Sequence, residues 1–189
     1  MISRTILTLT DLHGRFFDRL DAMLGPWLPG LLARLVFAGV LLVYYLKSAG
    51  TKVGDGIAGF FSIADNAYFQ ILPKVVEAHG YDASQVPFFP YDIIVAAGTY
   101  AEFALPLLIV AGLFTRLAAL GMIGFVIIQS YVDITAHGVD AATIGHWFDA
   151  APDSAILDQR ALWVFLLLIL VLRGAGAISL DRLFARGRG

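Results

Sequence analysis

Four long apolar stretches constrain this chain more than any other feature of its sequence. They run at about 28–46, 93–113, 117–134 and 156–172. A soluble core rarely contains uninterrupted apolar runs of this length, whereas a bilayer core about 30 Å thick requires roughly 20 apolar residues per helical span. We therefore predict an all-α integral membrane protein in which four spans pack as a four-helix bundle.

Composition predicts a single membrane domain over residues 1–189. Of the 189 residues, 59% are hydrophobic and only 15% are charged, so there is no room for a second, soluble domain. The formal net charge is −2 and the basic residues are scattered, which argues against a nucleic-acid surface. The chain contains no cysteine, so it has no disulfide, iron–sulfur ligand or thiolate metal site. Any redox chemistry would require a bound cofactor or a redox protein partner.

The distribution of basic residues predicts the orientation. With four spans both termini lie on one side, and arginines are concentrated there, whereas the opposite loops contain Lys47, Lys52 and Lys74. By the positive-inside rule both termini are cytoplasmic, and the long segments 47–92 and 135–155 face outward. The arginines on the side of the termini are Arg4, Arg15, Arg19, Arg116, Arg173, Arg182, Arg186 and Arg188.

Amphipathic segments are predicted outside the spans. Residues 57–72, within the outer loop at 53–90, have apolar residues at helical spacing but are too polar to cross a bilayer, which predicts an outer interfacial helix or a cap over the bundle. The N-terminal segment repeats apolar residues in the same way and is predicted to lie on the membrane surface. Its apolar positions are Leu9, Leu12, Phe16, Leu20 and Met23.

Two of the predicted spans carry an ionisable residue in mid-span, Arg34 and Glu102. Such groups are costly in a bilayer and mark a functional site or a structural pair. At about 1.5 Å rise per residue their depths differ by only about 7 Å, so we predict that they form a buried ion pair. Pro106 removes the amide that would bond the carbonyl of Glu102, which favours a polar cavity there. The pair either fixes helix register or forms a proton or substrate site.

A second polar layer is predicted near the outer face. Gln129, Asp133 and His137 recur every four residues and share one face of span three, and Arg160 lies at a depth close to that of Asp133, so a second ion pair is expected. Tyr100, Gln129 and Trp163 could line the same interior and bind a quinone or another flat ligand. Packing is the alternative role for these aromatic residues.

The outer loop around His137 and His146 offers acidic and imidazole groups, but no local metal-ligand motif. The two histidines are nine residues apart with Gly138 and Gly145 between them, so a solvated acidic loop is favoured over a metal site. The sequence contains no phosphate-binding loop, nucleophile elbow or zinc-protease motif. It therefore shows no self-contained catalytic centre, and a role as an oxidoreductase subunit stays open.

Four motifs resemble the DoxX family of small bacterial membrane proteins. Span one contains Arg34–Gly39 and is followed by Gly50–Lys52, similar to the family's arginine-led first helix that ends in a glycine and a lysine. Glu102 followed by Gly112–Leu117 resembles the family's glutamate and Gly-Leu-Phe-Thr-Arg turn. The tail Gly174–Asp181 resembles its Gly-x-Gly-x-x-Ser-Leu-Asp ending. The resemblance covers roughly residues 30–185.

The resemblance implies a four-helix protein of the bacterial inner membrane, with Arg34, Glu102, Gly112, Thr115 and Arg116 at family-motif positions. Relatives are linked to thiosulfate–quinone oxidoreduction and to membrane complexes of oxidative stress. We therefore expect a non-catalytic membrane subunit or anchor of a redox assembly. A small proton-coupled transporter acting as a homo-oligomer and a purely structural membrane scaffold are the alternatives.

Overall fold

The part of the chain that the structure describes consists of helices joined by loops. A computed structural model gives the backbone of residues 2–186 and the side chains of residues 9–185. Ten helices are present there, and the only extended pairing is an isolated antiparallel bridge between Val53 and Ile63. The helices are α1 (Ile2–Leu24), α2 (Leu28–Gly50), α3 (Gly56–Gly59), α4 (Asp65–Ile71), α5 (Pro73–Ala78), α6 (Ile93–Ala111), α7 (Thr115–Thr135), α8 (Ala141–Ile144), α9 (Leu157–Arg173) and α10 (Leu180–Arg186).

Three helical segments are long and apolar enough to cross a membrane. They are α2, the segment Phe88–Ala111 that ends in α6, and α7. A protein with such helices belongs in a lipid bilayer. The helix α9 forms where the fourth span was predicted, but with 17 residues it is shorter than the other three. Length and composition alone therefore identify three spans rather than four.

The core lies where α2, α6, α7 and α9 pack together. Helix α7 packs against α6 on one side and α9 on the other, and α2 also contacts both α6 and α9. Large apolar side chains from these helices are almost fully shielded, and the buried centre includes Phe37, Leu41, Tyr45, Ile109, Met122, Val126, Leu167 and Leu170. Many apolar side chains on the outer faces are exposed instead. Exposed apolar surface of this extent is expected for helices that face lipid.

Local sequence signals explain how the helices begin and end. Pro29 lies in the first turn of α2, where a missing amide hydrogen is tolerated. Gly112 ends α6 in the left-handed conformation, with φ +69°. Its amide donates to the carbonyl of Ile109 and the amide of Leu113 donates to that of Leu108, which is a Schellman ending. Residues Ala38–Leu42 widen α2 into a π-helical turn, which the sequence analysis did not predict.

The outer segment after α2 differs from the single helix predicted over 57–72. It forms the short α3, a tight loop, and then α4, because Gly54 and Gly59 bring two backbone segments into direct contact. A methyl group added at Gly59 would lie 2.3 Å from the backbone of Gly54. The amide of Gly54 donates to the carbonyls of Gly59 and Ser62. The glycines thus interrupt a helix that the apolar pattern alone would have continued.

Candidate functional site

A buried ion pair between Lys52 and Glu102 is the central feature of the polar interior. The Nζ atom of Lys52 lies 2.7 Å from Oε2 of Glu102, and the two side chains are only 5% and 3% exposed. Lys52 also donates to the hydroxyl of Ser48 at 3.0 Å and to its carbonyl at 3.2 Å. The ammonium group therefore has three acceptors, which is what burial of a charge requires.

The predicted partner of Glu102 was wrong, because Arg34 does not reach it. Lys52 follows the last turn of α2, and its four-carbon side chain folds back along the helix to Ser48 and then to α6. The sequence predicts Lys52 as a loop charge outside the membrane. The available signal was its position directly after Gly50-Thr51, where a long side chain can bring its charge into the bundle.

Thr99 adds a further polar group beside this pair. It lies on α6 one turn before Glu102, it is fully buried, and its hydroxyl has no hydrogen-bond partner in the described part of the chain. Pro106, one turn after Glu102, is also buried within the continuous helix. The middle of α6 thus carries a carboxylate, an unsatisfied hydroxyl and a proline within two turns.

Arg34 has a different role, since all its partners are backbone carbonyls. Its Nε donates to Ile109 at 2.9 Å and its Nη1 to Ala175 at 3.1 Å and to Ile178 at 2.5 Å, while Nη2 donates to Val110. Ile109 and Val110 are among the last residues of α6, whose carbonyls lack partners within the helix. Arg34 therefore caps α6 and ties down the segment that follows α9.

The motifs at the ends of α6 and α9 meet at one place. Asp181 accepts hydrogen bonds from the amides of Phe114 at 2.7 Å and Thr115 at 3.0 Å, which caps the start of α7. The amide of Asp181 in turn donates to the carbonyl of Gly112 at 2.8 Å. We call Arg34, Gly112–Thr115 and Gly174–Asp181 together the tail junction.

Glycines allow the backbones at the tail junction to approach closely. A methyl group added at Gly30 would lie 2.3 Å from the carbonyl oxygen of Gly174, and one added at Gly176 would lie 2.4 Å from the amide nitrogen of Leu31. Thr115 is buried, whereas Arg116 is exposed. The turn residues thus differ. Gly112 and Thr115 build the junction, whereas Arg116 is exposed beside it, where a methyl group added at Gly174 would lie 3.3 Å from its Nε.

The structure brings Asp133 and Arg160 together. Arg160 Nη2 donates to Asp133 Oδ2 at 2.5 Å, and Nη1 donates to the hydroxyl of Ser130 at 3.0 Å. The guanidinium carbon lies 6.0 Å from the ring centre of Trp163, a cation–π distance. The Nε atom of Arg160 is buried without a partner in the described part of the chain. Arg160 links α9 to α7 in this way.

A chain of polar contacts through α4 connects the two ion pairs. His137 Nε2 lies 4.0 Å from Asp133 Oδ1 and 3.1 Å from the carbonyl oxygen of Gln70. The side-chain amide of Gln70 donates to the hydroxyl of Thr51 at 2.9 Å, and that hydroxyl donates to the carbonyl of Ser48 at 2.7 Å. Ser48 also accepts from Lys52, so a chain of polar contacts runs from Asp133 to Glu102. We call this chain the outer polar network.

The three residues predicted to line a flat ligand do not form one wall. Gln129 donates to the hydroxyl of Tyr44 at 3.0 Å, and the ring of Trp163 lies 5.7 Å from that of Tyr44. Tyr100 instead donates to the carbonyl of Phe60 at 3.1 Å and packs on its ring at 5.6 Å. Tyr100 thus belongs to a second aromatic group, because α6 faces the loop around α3 at this level.

The weak metal candidates are not brought together as a ligand set. Among the described residues no three His, Cys, Asp or Glu side chains are close enough to hold a metal ion. His137 is engaged in the outer polar network, and His146 lies in the loop between α8 and α9.

Tyr68 and Asp140 are among the groups on the outer segments that have shifted pKa values. Burial and the hydrogen bond to Asp92, 2.8 Å long, raise the pKa of Tyr68 to about 12. The amide and hydroxyl of Thr143 hold the pKa of Asp140 below its usual range, because both stabilise the ionised carboxylate. The neutral phenol ties α4 to the residue before α6, and the carboxylate caps α8.

Comparison with known proteins gives no relative. No family model, curated protein or solved structure matches the chain. The resemblance to the DoxX family therefore stays a prediction from the four motifs.

Proposed function

We propose that the chain is a DoxX-like, non-catalytic subunit or anchor of a redox assembly in the bacterial inner membrane. The observation that carries this proposal is the structural engagement of the ionisable side chains inside the helices. Arg34 caps α6 through two carbonyls and binds two more after α9, Glu102 is paired with Lys52, and Arg160 is paired with Asp133. Charges used in this way fix the register of helices and leave the chemistry to a partner.

The proposal includes a four-span topology with both termini in the cytoplasm. Helix α9 has 17 residues and at about 1.5 Å per residue is about 25 Å long, enough to span a bilayer with a small mismatch. It shares the buried core with the three longer spans, and Trp163 and Arg160 lie near its outer end. Helices α1 and α4 would then lie at opposite surfaces of the membrane.

The redox part of the proposal rests on the DoxX resemblance. Three of the motif segments that carry it, Arg34, Gly112–Thr115 and Gly174–Asp181, converge at the tail junction, although they are far apart in the sequence. Lys52 and Glu102 of the other motifs meet in the buried ion pair. The aromatic group of Tyr44, Tyr45 and Trp163, which adjoins Gln129, is the most suitable place for a quinone ring. Tyr44 is exposed on the lipid side of this group, so a quinone could reach it from the bilayer.

Affinity purification from native membranes in mild detergent tests the proposal. We expect a stoichiometric oxidoreductase partner, with quinone in the extract, and we expect the Lys52→Met/Glu102→Leu double variant to retain that partner. Arg160→Gln is the variant whose extracted quinone is compared with that of the parent, because this substitution alters the contacts next to Trp163. Recovery of a homo-oligomer with neither partner nor quinone would overturn the redox-subunit function.

A proton-coupled transporter is the second candidate, and the outer polar network favours it. The network joins two ion pairs and contains His137, and a buried polar atom without a partner in the described part of the chain lies beside each pair, at Thr99 and at Arg160. Relays in transporters are built from such groups. In proteoliposomes this function predicts proton-coupled flux that the Lys52→Met/Glu102→Leu variant abolishes while remaining folded. Equal flux in the parent and in empty vesicles would exclude the transporter, and together with the absence of a partner and of quinone it would leave only the scaffold role.

A further inference from the structure

A surface depression of 340 Å³ opens beside the tail junction. Its lining includes Trp27, Arg173 and Arg182, together with Ser179 and Asp181. The depression lies between the start of α2, the end of α9 and the start of α10, so it is at the level where these helices leave the apolar region. A depression at that level can be reached by the headgroups of the surrounding lipid.

Three arginines around the depression have no partner for their charge. The side chains of Arg116, Arg173 and Arg182 are exposed, and none forms an ion pair in the described part of the chain. Asp181 is the acidic residue in the lining, but its two oxygens accept hydrogen bonds from the amides of Phe114 and Thr115. The carboxylate is therefore bound by the amides at the start of α7, and the guanidinium groups of the three arginines remain available to an anion.

Exposed apolar side chains surround these arginines. Leu172 is 71% exposed, Ile178 75%, Leu183 62% and Phe184 57%. A water-soluble anion would gain nothing from this apolar surface, whereas a phospholipid contacts it with its acyl chains while its phosphate faces the arginines. Trp27 is half-buried at the same level, as expected of an indole at a membrane interface. Basic pockets between membrane helices bind anionic headgroups in this way.

We propose that this depression binds the headgroup of an anionic phospholipid through Arg173 and Arg182. The phosphodiester accepts hydrogen bonds from the two guanidinium groups, and Arg116 adds positive charge nearby. The bound lipid would hold the segment after α9 against α2, next to the carbonyls that Arg34 ties together. This site is independent of the proposed redox function.

Fluorescence of Trp27 provides the test, because the chain has only three tryptophans. In a Trp147→Phe/Trp163→Phe background, the full chain is reconstituted in phosphatidylcholine vesicles that contain a minor fraction of phosphatidylglycerol brominated near the headgroup. Matched vesicles carry the bromine on phosphatidylcholine instead. We expect the anionic lipid to quench Trp27 fluorescence well beyond what its mole fraction in the vesicle would give, which is a preference for this lipid at the site. Arg173→Gln/Arg182→Gln should lower this preference about 25-fold, since each basic residue contributes about fivefold.

Two control variants and one competitor decide between explanations. Arg15→Gln/Arg19→Gln removes the same charge from α1 and should leave the preference unchanged. Arg173→Lys/Arg182→Lys keeps the charge and should retain most of it. Quenching in proportion to mole fraction, or an equal loss in the α1 variant, would overturn the site. Full displacement of the lipid by inorganic phosphate would also overturn it, in favour of a free-anion site.

Discussion

At Gly112 the backbone adopts φ +69° in direct contact with two other segments. A methyl group there would lie 2.6 Å from Cβ of Ser179 and 2.8 Å from Cζ of Arg34. A side chain in the left-handed region alone costs about 1–2 kcal/mol. Gly112 thus ends α6, and because it has no side chain it also leaves room for Arg34 and for the tail segment at Ser179.

We expect Gly112→Ala to destabilise the protein by about 2 kcal/mol, because it adds backbone strain to a steric clash. Thermal unfolding in detergent should show a midpoint lower by about 4–8 °C. Gly124→Ala is the matched control, since Gly124 lies within α7 and a methyl group there meets no atom within 4 Å. The control should be neutral or slightly stabilising. Equal midpoints for the two variants would contradict this account of Gly112.

The Lys52–Glu102 pair should show strong coupling between its two partners. Glu102→Gln leaves an uncompensated ammonium group in the interior, which costs about 3–5 kcal/mol. Lys52→Met leaves an unpaired carboxylate and should cost a similar amount. The Lys52→Met/Glu102→Leu double variant should recover most of this loss, because apolar replacements of a buried pair are often neutral. Reversible unfolding in mixed micelles measures all three, and a double variant as unstable as the sum of the singles would refute the coupling.

At the scale of elements, two helix ends at the tail junction are completed by distant segments. Carbonyls at the end of α6 accept hydrogen bonds from Arg34 of α2, and amides at the start of α7 donate to Asp181 of α10. Neither helix carries its own capping side chain at that end. The ends of α6 and α7 should therefore open together when the tail is released.

We expect Asp181→Ala to cost about 1 kcal/mol, since it removes the acceptor for two amides at the start of α7. Hydrogen exchange of residues 114–118 should accelerate, together with that of α10. Asp181→Asn keeps one acceptor oxygen and should show a smaller change. Identical exchange in the parent and in the alanine variant would mean that the cap does not hold α7.

The contact between α4 and the segment before α6 should fail at alkaline pH. The pKa of Tyr68 is raised to about 12, so the stabilisation from its protonated form is complete below about pH 10, the ordinary tyrosine pKa. It is lost as the pH rises through about 12. The difference between the ultraviolet pH titrations of the parent and of Tyr68→Phe should isolate one phenol that ionises at this high pH. If the difference curve lacks that step, the contact with Asp92 is contradicted.

At the scale of the whole molecule, the absence of cysteine allows the proposed topology to be mapped with single introduced thiols. Gly14→Cys and Ala185→Cys should react from the cytoplasmic side, whereas Asp149→Cys should react from the opposite side. These positions are exposed or lie in open surroundings. Impermeant maleimide applied to intact and opened cells measures the sidedness. If Ala185→Cys and Asp149→Cys react from the same side, α9 does not cross the membrane.

Much of the helical layout could be predicted from local sequence. Apolar length predicted the three spans, and Pro29 and Gly112 marked a beginning and an end. The helix expected over 57–72 was wrong because contact between Gly54 and Gly59, not local periodicity, decides that segment. No local sequence pattern predicted the π-helical turn in α2 either.

The site was predicted less completely than the helices, because its ion pairs were predicted only from similar depths in the bilayer. Similar depth correctly paired Asp133 with Arg160 but wrongly paired Arg34 with Glu102. Depth along an axis says how far in a residue lies, and it does not say which way a long side chain turns.

The sequence by itself therefore determined a helical membrane protein and the residues whose charges need partners, because hydrophobic length and the cost of burying a charge are local properties. Only the tertiary structure decided the partners. Lys52 folds back to Glu102 and Arg34 turns to carbonyls from two other segments, and both outcomes depend on which helices lie side by side and on the reach of each side chain.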